Sequence, residues 1–347
     1  MTHTPKVAPR FAALAELGFE CVRGPHTSVE IIPIDDAVSK AIATRPAMGT
    51  LVSLTLLTSA RARAEEAIGR AFEEMDRLIA IFSHYDPASA VSQLNSAGTL
   101  DRPPRELAHV VSRSLQFNRL SDGAFDISVA PVVELFKGRP PGSLPSKSEV
   151  REALELVGVQ HVAASRKRLS FERSGMCLTF DGVAKGYIVD AMARVLKRHR
   201  IKNYLIEAGG DIRASGTKER RLPWAVAVQD PERSGLFPDT IHLANGAVAT
   251  SGSYERHFDP DQEHHHIIDS HLGVSPQFSV SASVIAPNAM VADALATTVF
   301  LMLPEAGVKF VEGLRGCECL VVGRDGMQVR SGGWPSAGPT RKRKAEA

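Results

Sequence analysis

Residues 50–57, TLVSLTLL, alternate: Val52, Leu54 and Leu56 share one face, and Ser53 and Thr55 the other. That two-residue period predicts a half-buried strand. Residues 62–82 follow a helical period instead, with Ala64, Ile68, Phe72, Met75, Ile79 and Phe82 in one apolar stripe. Another helix is predicted over about 105–120, stopped at Asp122-Gly123, and a third over about 183–200. A strand at 203–207 and a Gly209-Gly210 turn follow. KGRPPGSLPSKSE (137–149) has the makeup of a surface connection. Short strands then dominate: WAVAVQ (224–229), TIHLANGAVATS (240–251) and SVSASVIA (279–286). Asn245-Gly246 predicts a hairpin, and CLVVGRDGMQVR (319–330) a second one turning near Asp325-Gly326. Hairpins outnumber crossovers, so the expected class is α+β: a single two-lobed domain with mostly antiparallel sheets packed by helices. The expected organisation is an N-terminal extension at 1–44, a globular domain at 45–330 and a basic, disordered tail at 331–347.

Composition narrows the classes. The chain has 347 residues, enough for a large core, and is 44% hydrophobic and 23% charged, as ordinary globular proteins are. Its formal net charge is only +2, much of the excess sits in the end RKRKAEA, and aromatics make up 6%. No basic stripe is interleaved with aromatics, which argues against nucleic acid as a partner. No run reaches the roughly 20 apolar residues of a membrane span. The first residues show neither a basic-then-apolar leader, nor a lipobox, nor a twin arginine. Cys21, Cys177, Cys317 and Cys319 form no CxxC, so free thiols in a reducing compartment, the cytoplasm, are expected. Nothing in the pattern specifies an oligomeric state.

The chemistry concentrates in four stretches. In MVADALATTVFLM (290–302) a lone carboxylate, Asp293, sits among apolar residues, where a charge is costly unless paired. Thr297 lies one turn on, so the two oxygens share a helix face and form part of a hard-cation site. The alternative is an acid favoured by the helix dipole and a threonine bonded to its own backbone. TFDGVAKGYIVD (179–190) predicts strand, glycine turn and helix, with Lys185 at the helix start as part of an anion cradle and Gly182 exposing its carbonyl. The spacing is not that of a Walker A loop. SDGAFDISVAP (121–131) places Phe125 and Asp126 at the mouth of a short strand, suited to a planar heterocycle or ribose, or else to a core ring and a capping acid. EHHHIIDSHLG (263–273) is histidine-rich, but neighbours along a strand point to opposite sides, so one histidine as proton carrier fits better than a zinc site. GGDIRASG spaces its glycines wrongly for a dinucleotide fingerprint.

Eight blocks together resemble the ApbE family of flavin transferases, in the family's order over about 45–315: AMGT, FSHYDPASAVSQLN, DGAFDISVAP, DGVAKGYIVD, EAGGDIRASG, ATSGSYERHF, HHIID and SVIAPNAMVADALAT. The resemblance implies an ApbE-like fold and transfer of FMN from FAD to a threonine or serine hydroxyl of an acceptor protein, releasing AMP. It implies Mg²⁺, or Mn²⁺ in its place, held by Asp293, Thr297 and a backbone carbonyl, here assigned to Gly182. It implies flavin contacts from Met48, Tyr85, Ala124, Phe125, Asp126, Thr179, Lys185 and Ile267, and catalytic roles for His266, Lys185 and Asp293. Departures from the family pattern are Thr179 where an aspartate is frequent, Ser253 for aspartate, Ser270 for proline and Leu272 for threonine. Many members of the family are exported. An FAD pyrophosphatase giving FMN and AMP, or a non-catalytic flavin-binding protein, would keep the same pocket.

Overall fold

The computed structural model describes residues 28–140, 142–229, 231 and 236–341. Its centre is a nine-stranded sheet whose strands lie side by side in chain order, every neighbouring pair antiparallel. The strands are β1 (Glu30–Pro33), β2 (Ser39–Ala47), β3 (Thr50–Thr58), β4 (Asn203–Ala208), β5 (Asp211–Ser215), β6 (Gly246–Gly252), β7 (Ser279–Ala286), β8 (Glu318–Gly323) and β9 (Gln328–Arg330). Met48 and Gly49 join β2 to β3 at φ 52° and 74°, the left-handed pair that a two-residue hairpin requires. Gly209 and Gly210 join β4 to β5 at φ 60° and 100°, and a side chain on Gly209 would strike Thr50, so both turns meet at one end of the sheet. Leucine and valine alternation decides the faces: Val52, Leu54 and Leu56 are all fully buried on one side of β3.

The helices are α1 (Arg61–Phe82), α2 (Ala90–Ala97), α3 (Arg105–Leu120), α4 (Ala130–Lys137), α5 (Lys147–Leu154), α6 (Ala184–Arg198), α7 (Ala289–Phe300) and α8 (Pro304–Glu312). The apolar stripe of α1 packs into the main core as its periodicity predicts, with Leu78 fully buried and Ile79 at the rim. A smaller layer consists of α2 to α5 with a three-stranded sheet of Thr99–Asp101, Arg168–Phe171 and Val162–Ala164. Leu94, Leu107, Val110 and Leu169 of this layer belong to the same core cluster as β3 and α1, so the lobes share one core. On the opposite face, Ile212, Val248 and Leu320 pack against Val226, Ile241 and Trp334.

Several expectations are corrected. Asn245-Gly246 is not a hairpin: Thr240–Leu243 pairs with Trp224–Ala227, while β6 pairs with β5 and β7. Asn245 Oδ1 accepts from Gly216 N–H at 3.3 Å, which ties the corner to the end of β5 and sends the chain into another sheet. Phe125 and Asp126 precede no strand. Asp126 accepts from Ser128 N–H at 2.7 Å, capping a 3₁₀ turn at Ile127–Val129, and Pro131 suits the start of α4. Thr179 and Phe180 join no ladder before α6. Residues 30–33 and 39–44, expected in an extension, build β1 and most of β2 because their backbone completes the sheet. Residues 331–341, expected in a loose tail, fold back: Trp334 is buried and donates to Asp239 at 2.8 Å, and Thr340 pairs with Phe237. Residues 1–27, Cys21 included, and 342–347 lie outside the described residues. Cys177, Cys317 and Cys319 are free thiols. Among the described residues no helix is long and apolar enough to cross a membrane.

Candidate functional site

Helix α7 is apolar almost all round and nearly every residue in it is buried, which is why its one acid matters. Asp293 is 4% exposed and its Oδ2 accepts from Gly186 N–H at 2.9 Å, at the start of α6. Thr297 follows one turn on, its Oγ1 3.2 Å from Ser251 Oγ of β6. Gly182 abuts it: a Cβ there would sit 2.8 Å from Thr297 Oγ1. Gly182, Asp293 and Thr297 are therefore brought together.

Lys185 joins this cluster through a residue that sequence reasoning missed. Its Nζ lies 2.8 Å from Oδ2 of Asp211, a carboxylate 2% exposed at the start of β5. The available signal was an acid directly after the Gly209-Gly210 turn, at the head of an apolar strand. Burial opposes charge on Lys185, but Asp211 and then Asp293 more than offset it and hold its pKa above the usual lysine value. Burial raises the pKa of Asp293 well above the carboxylate range, and Asp211 adds to it while Lys185 opposes. Asp211 is raised by burial against the pull of Lys185. Two buried acids facing one ammonium can both ionise only where a further cation offsets the second negative charge. Carboxylate, hydroxyl and carbonyl oxygens are the donors Mg²⁺ prefers. The donor set fits it. Among the described residues no three His, Cys, Asp or Glu side chains gather as metal ligands. Gly182→Ala should force Thr297 aside and raise the Mg²⁺ concentration for half-maximal binding about tenfold or more. An unchanged Mg²⁺ titration would remove Gly182 and Thr297 from the site.

Thr179 N–H donates to the Ile127 carbonyl at 2.8 Å, joining the stretch of Ala124, Phe125 and Asp126 to the one that opens α6. Thr179 Oγ1 accepts from Asp181 N–H at 3.3 Å. The Phe125 ring is buried edge-on against Phe117 at 5.9 Å, so it belongs to the core and offers no stacking face. Asp126 is committed to its cap and to Asn118, and burial raises its pKa. Ala124 is half-buried in the preceding turn, against which Ser270 donates to the Gly123 carbonyl at 3.1 Å. Tyr85 is 68% exposed, and Arg256 Nη1 donates to its hydroxyl at 3.3 Å. Met48, half-buried in the β2–β3 turn, packs against the main core, and the same turn approaches Gly209 through Thr50. Ile267 is buried.

The histidines separate cleanly. His264 pairs with Asp259 at 3.1 Å, and exposed His271 lies 3.7 Å from Asp269. His265 is buried and its Nε2 donates to the Pro276 carbonyl at 3.1 Å. His266 is half-buried with Nδ1 3.4 Å from the Arg256 carbonyl, which can only accept, so Nδ1 holds the hydrogen and Nε2 keeps its lone pair. Burial pushes both His265 and His266 down to about 4. Asp181 acts electrostatically on both His266 and Asp293.

These depressed values have a stability consequence. Between about 6.5, where an unfolded imidazole protonates, and about 4, the unfolded chain binds more protons than the folded one. The contribution of these two histidines to stability therefore rises with pH across that window and is lost as pH is lowered through it. His265→Gln should flatten the slope relative to wild type. Parallel slopes in a pH series of thermal melts would contradict the assignment.

A family model described as "ApbE family" matches residues 48–321. The FAD:protein FMN transferase of Escherichia coli K12 is 30% identical over 267 residues, spanning 73% of this chain and 75% of that one. The enzyme of the same name from Vibrio cholerae is 30% identical over 253 residues, 71% of this chain and 75% of that one. Among solved structures, the ApbE protein of Thermotoga maritima superposes with a TM-score of 0.77 at 31% identity, covering 84% of this chain and 97% of that one. The flavin transferase ApbE of Vibrio cholerae, solved as a variant with one histidine changed to glycine, gives 0.74 at 25% identity, covering 84% and 97%.

Proposed function

The chain belongs to the ApbE family, and from that premise we propose that it transfers FMN from FAD to a threonine or serine hydroxyl of an acceptor protein, releasing AMP. The observation that carries this reading is the junction of α6 and α7, where Gly182, Lys185, Asp211, Asp293 and Thr297 converge at the side of the sheet flanked by the Met48 turn. Asp293, Thr297 and the Gly182 carbonyl would hold Mg²⁺, which when bound polarises a phosphoryl oxygen and offsets charge on the departing phosphate.

This chain's own residues supply the remainder. Lys185 is a charged ammonium beside that junction, so the pyrophosphate of FAD is drawn there. The acceptor oxygen attacks the phosphorus that carries the riboflavin half, a new P–O bond forms, and the bond to the bridging oxygen breaks to release AMP. His266 takes the hydroxyl proton at Nε2, which is unprotonated at neutral pH because burial holds its pKa near 4. Arg256 fixes the imidazole through its carbonyl and Tyr85 through its guanidinium, which orders the rim where an acceptor segment enters. Met48, Ala124, Asp126, Thr179 and Ile267 would bound the flavin, with Phe125 contributing through its backbone.

The test is FAD turnover by the purified protein, with and without Mg²⁺, each with and without a flavodomain bearing a threonine acceptor. Mg²⁺-dependent AMP release together with a mass gain on the acceptor supports the transferase. AMP and free FMN with no labelled acceptor would instead support a pyrophosphatase. FAD binding without AMP under any condition would point to a flavin carrier.

A further inference from the structure

We infer that Asp190 is a positioning residue for the cation site, acting through the first turn of α7; the inference rests on the reading of Asp293 and Thr297 as cation ligands. Asp190 lies on α6, five residues after Lys185, and is 8% exposed. Its Oδ1 accepts from Ala289 N–H and its Oδ2 from Met290 N–H, both at 3.0 Å. These are the first two residues of α7, whose N–H groups have no acceptor within the helix. Asn288 accepts from Val291 N–H, also at 3.0 Å, so the three N–H groups that open the helix are all held. Arg213 of β5 closes the far side: its Nε is 3.8 Å from Asp190 Oδ1, and its guanidinium donates to the Pro287 carbonyl.

Helix α6 thus grips α7 at two levels. Asp190 holds the first turn, and Gly186 N–H holds Asp293 Oδ2 in the next. Gly186 also has no side chain because Ala289 and Asp293 occupy that space, so the helices lie in close contact. A helix fixed this way can neither slide nor rotate without losing a bond. The magnitude makes this relevant to a cation. A helical side chain reaches about 5–6 Å from the axis, so a rotation of about 20° would carry the Asp293 carboxylate roughly 2 Å. Mg²⁺–oxygen distances near 2.0–2.1 Å tolerate only about 0.2 Å. Asp190 touches no reacting atom; it sets where Asp293 and Thr297 point.

The experiment measures Mn²⁺ binding by the full chain from the electron-spin resonance of free Mn²⁺, a readout independent of turnover. Asp190→Asn puts an amide N–H against a backbone N–H and should weaken Mn²⁺ binding about tenfold or more, and Arg213→Gln, which leaves both bonds of Asp190 in place, should weaken it less. Leu54→Ala, a core variant far from α7 in sequence, serves as the control for lost melting temperature and should bind like wild type. Wild-type affinity in Asp190→Asn, or an equal loss in Leu54→Ala, would overturn the inference. If Asp293→Ala loses Mn²⁺ while Asp190→Asn keeps it, the ligand assignment stands and the inference alone falls. If Asp293→Ala binds as well as wild type, or wild type does not bind, the ligand assignment falls and the inference with it.

Discussion

Asp293→Ala is expected to lower Mg²⁺-dependent AMP release by roughly three orders of magnitude, since Lewis-acid stabilisation is worth several kcal/mol and each 1.36 kcal/mol is a factor of ten. The fold should survive. Asp293 is a buried carboxylate whose charge is disfavoured by burial and by Asp211, and among the described residues its side chain is held by Gly186 N–H. Removing it discards an acid that is uncompensated without a cation, so the metal-free variant should melt at or above the wild-type temperature. Thermal melts with and without Mg²⁺ separate the two effects. Wild type should gain stability with cation concentration by mass action, whereas the variant should not respond. A variant that keeps full turnover, or whose melting temperature still rises with Mg²⁺, would show that Asp293 is not the ligand.

The parts of this site that were legible in the sequence are those encoded by spacing. Asp293 and Thr297 stand out because a single acid interrupts an apolar helix, and one turn separates them whatever the tertiary structure does. Lys185 and Gly182 stand out because a glycine turn opens a helix. What spacing could not supply is contact across elements. Asp211 meets Lys185 only because β5 runs beneath the head of α6, and Asp190 meets Ala289 only because the two helices cross at Gly186. Asn245-Gly246 misled for the same reason. Its local chemistry is that of a two-residue hairpin, yet the bond to Gly216 redirects the strand to another sheet. Phe125 misled differently. An aromatic next to an acid in a turn reads equally as ligand wall or as core, and the Phe117 ring decided for the core.

Lys185→Ala should be costly in two ways that a second substitution can separate. Asp211 is 2% exposed and would lose its ammonium partner while still facing Asp293. Breaking a buried pair from one side costs about 3–5 kcal/mol, because the remaining charge is left uncompensated. Turnover should also fall by about 10²–10³, the usual effect of deleting one group that stabilises transition-state charge. Lys185→Ala/Asp211→Asn removes the stranded acid, so it should regain most of the stability in a urea titration and none of the turnover. Recovery of both would make Lys185 merely the partner of Asp211 and exclude it from the chemistry. The stability deficit of the single variant also has a predictable pH dependence. Asp211 is already raised above the usual carboxylate range by burial, and without Lys185 the opposing pull is gone. The acid therefore takes up a proton more readily in the folded variant than in the unfolded chain, so the deficit should shrink as pH falls from 7 toward the ordinary carboxylate value of about 4. A deficit that stays constant over that range would mean that the loss comes from packing of the lysine stem and not from a stranded charge.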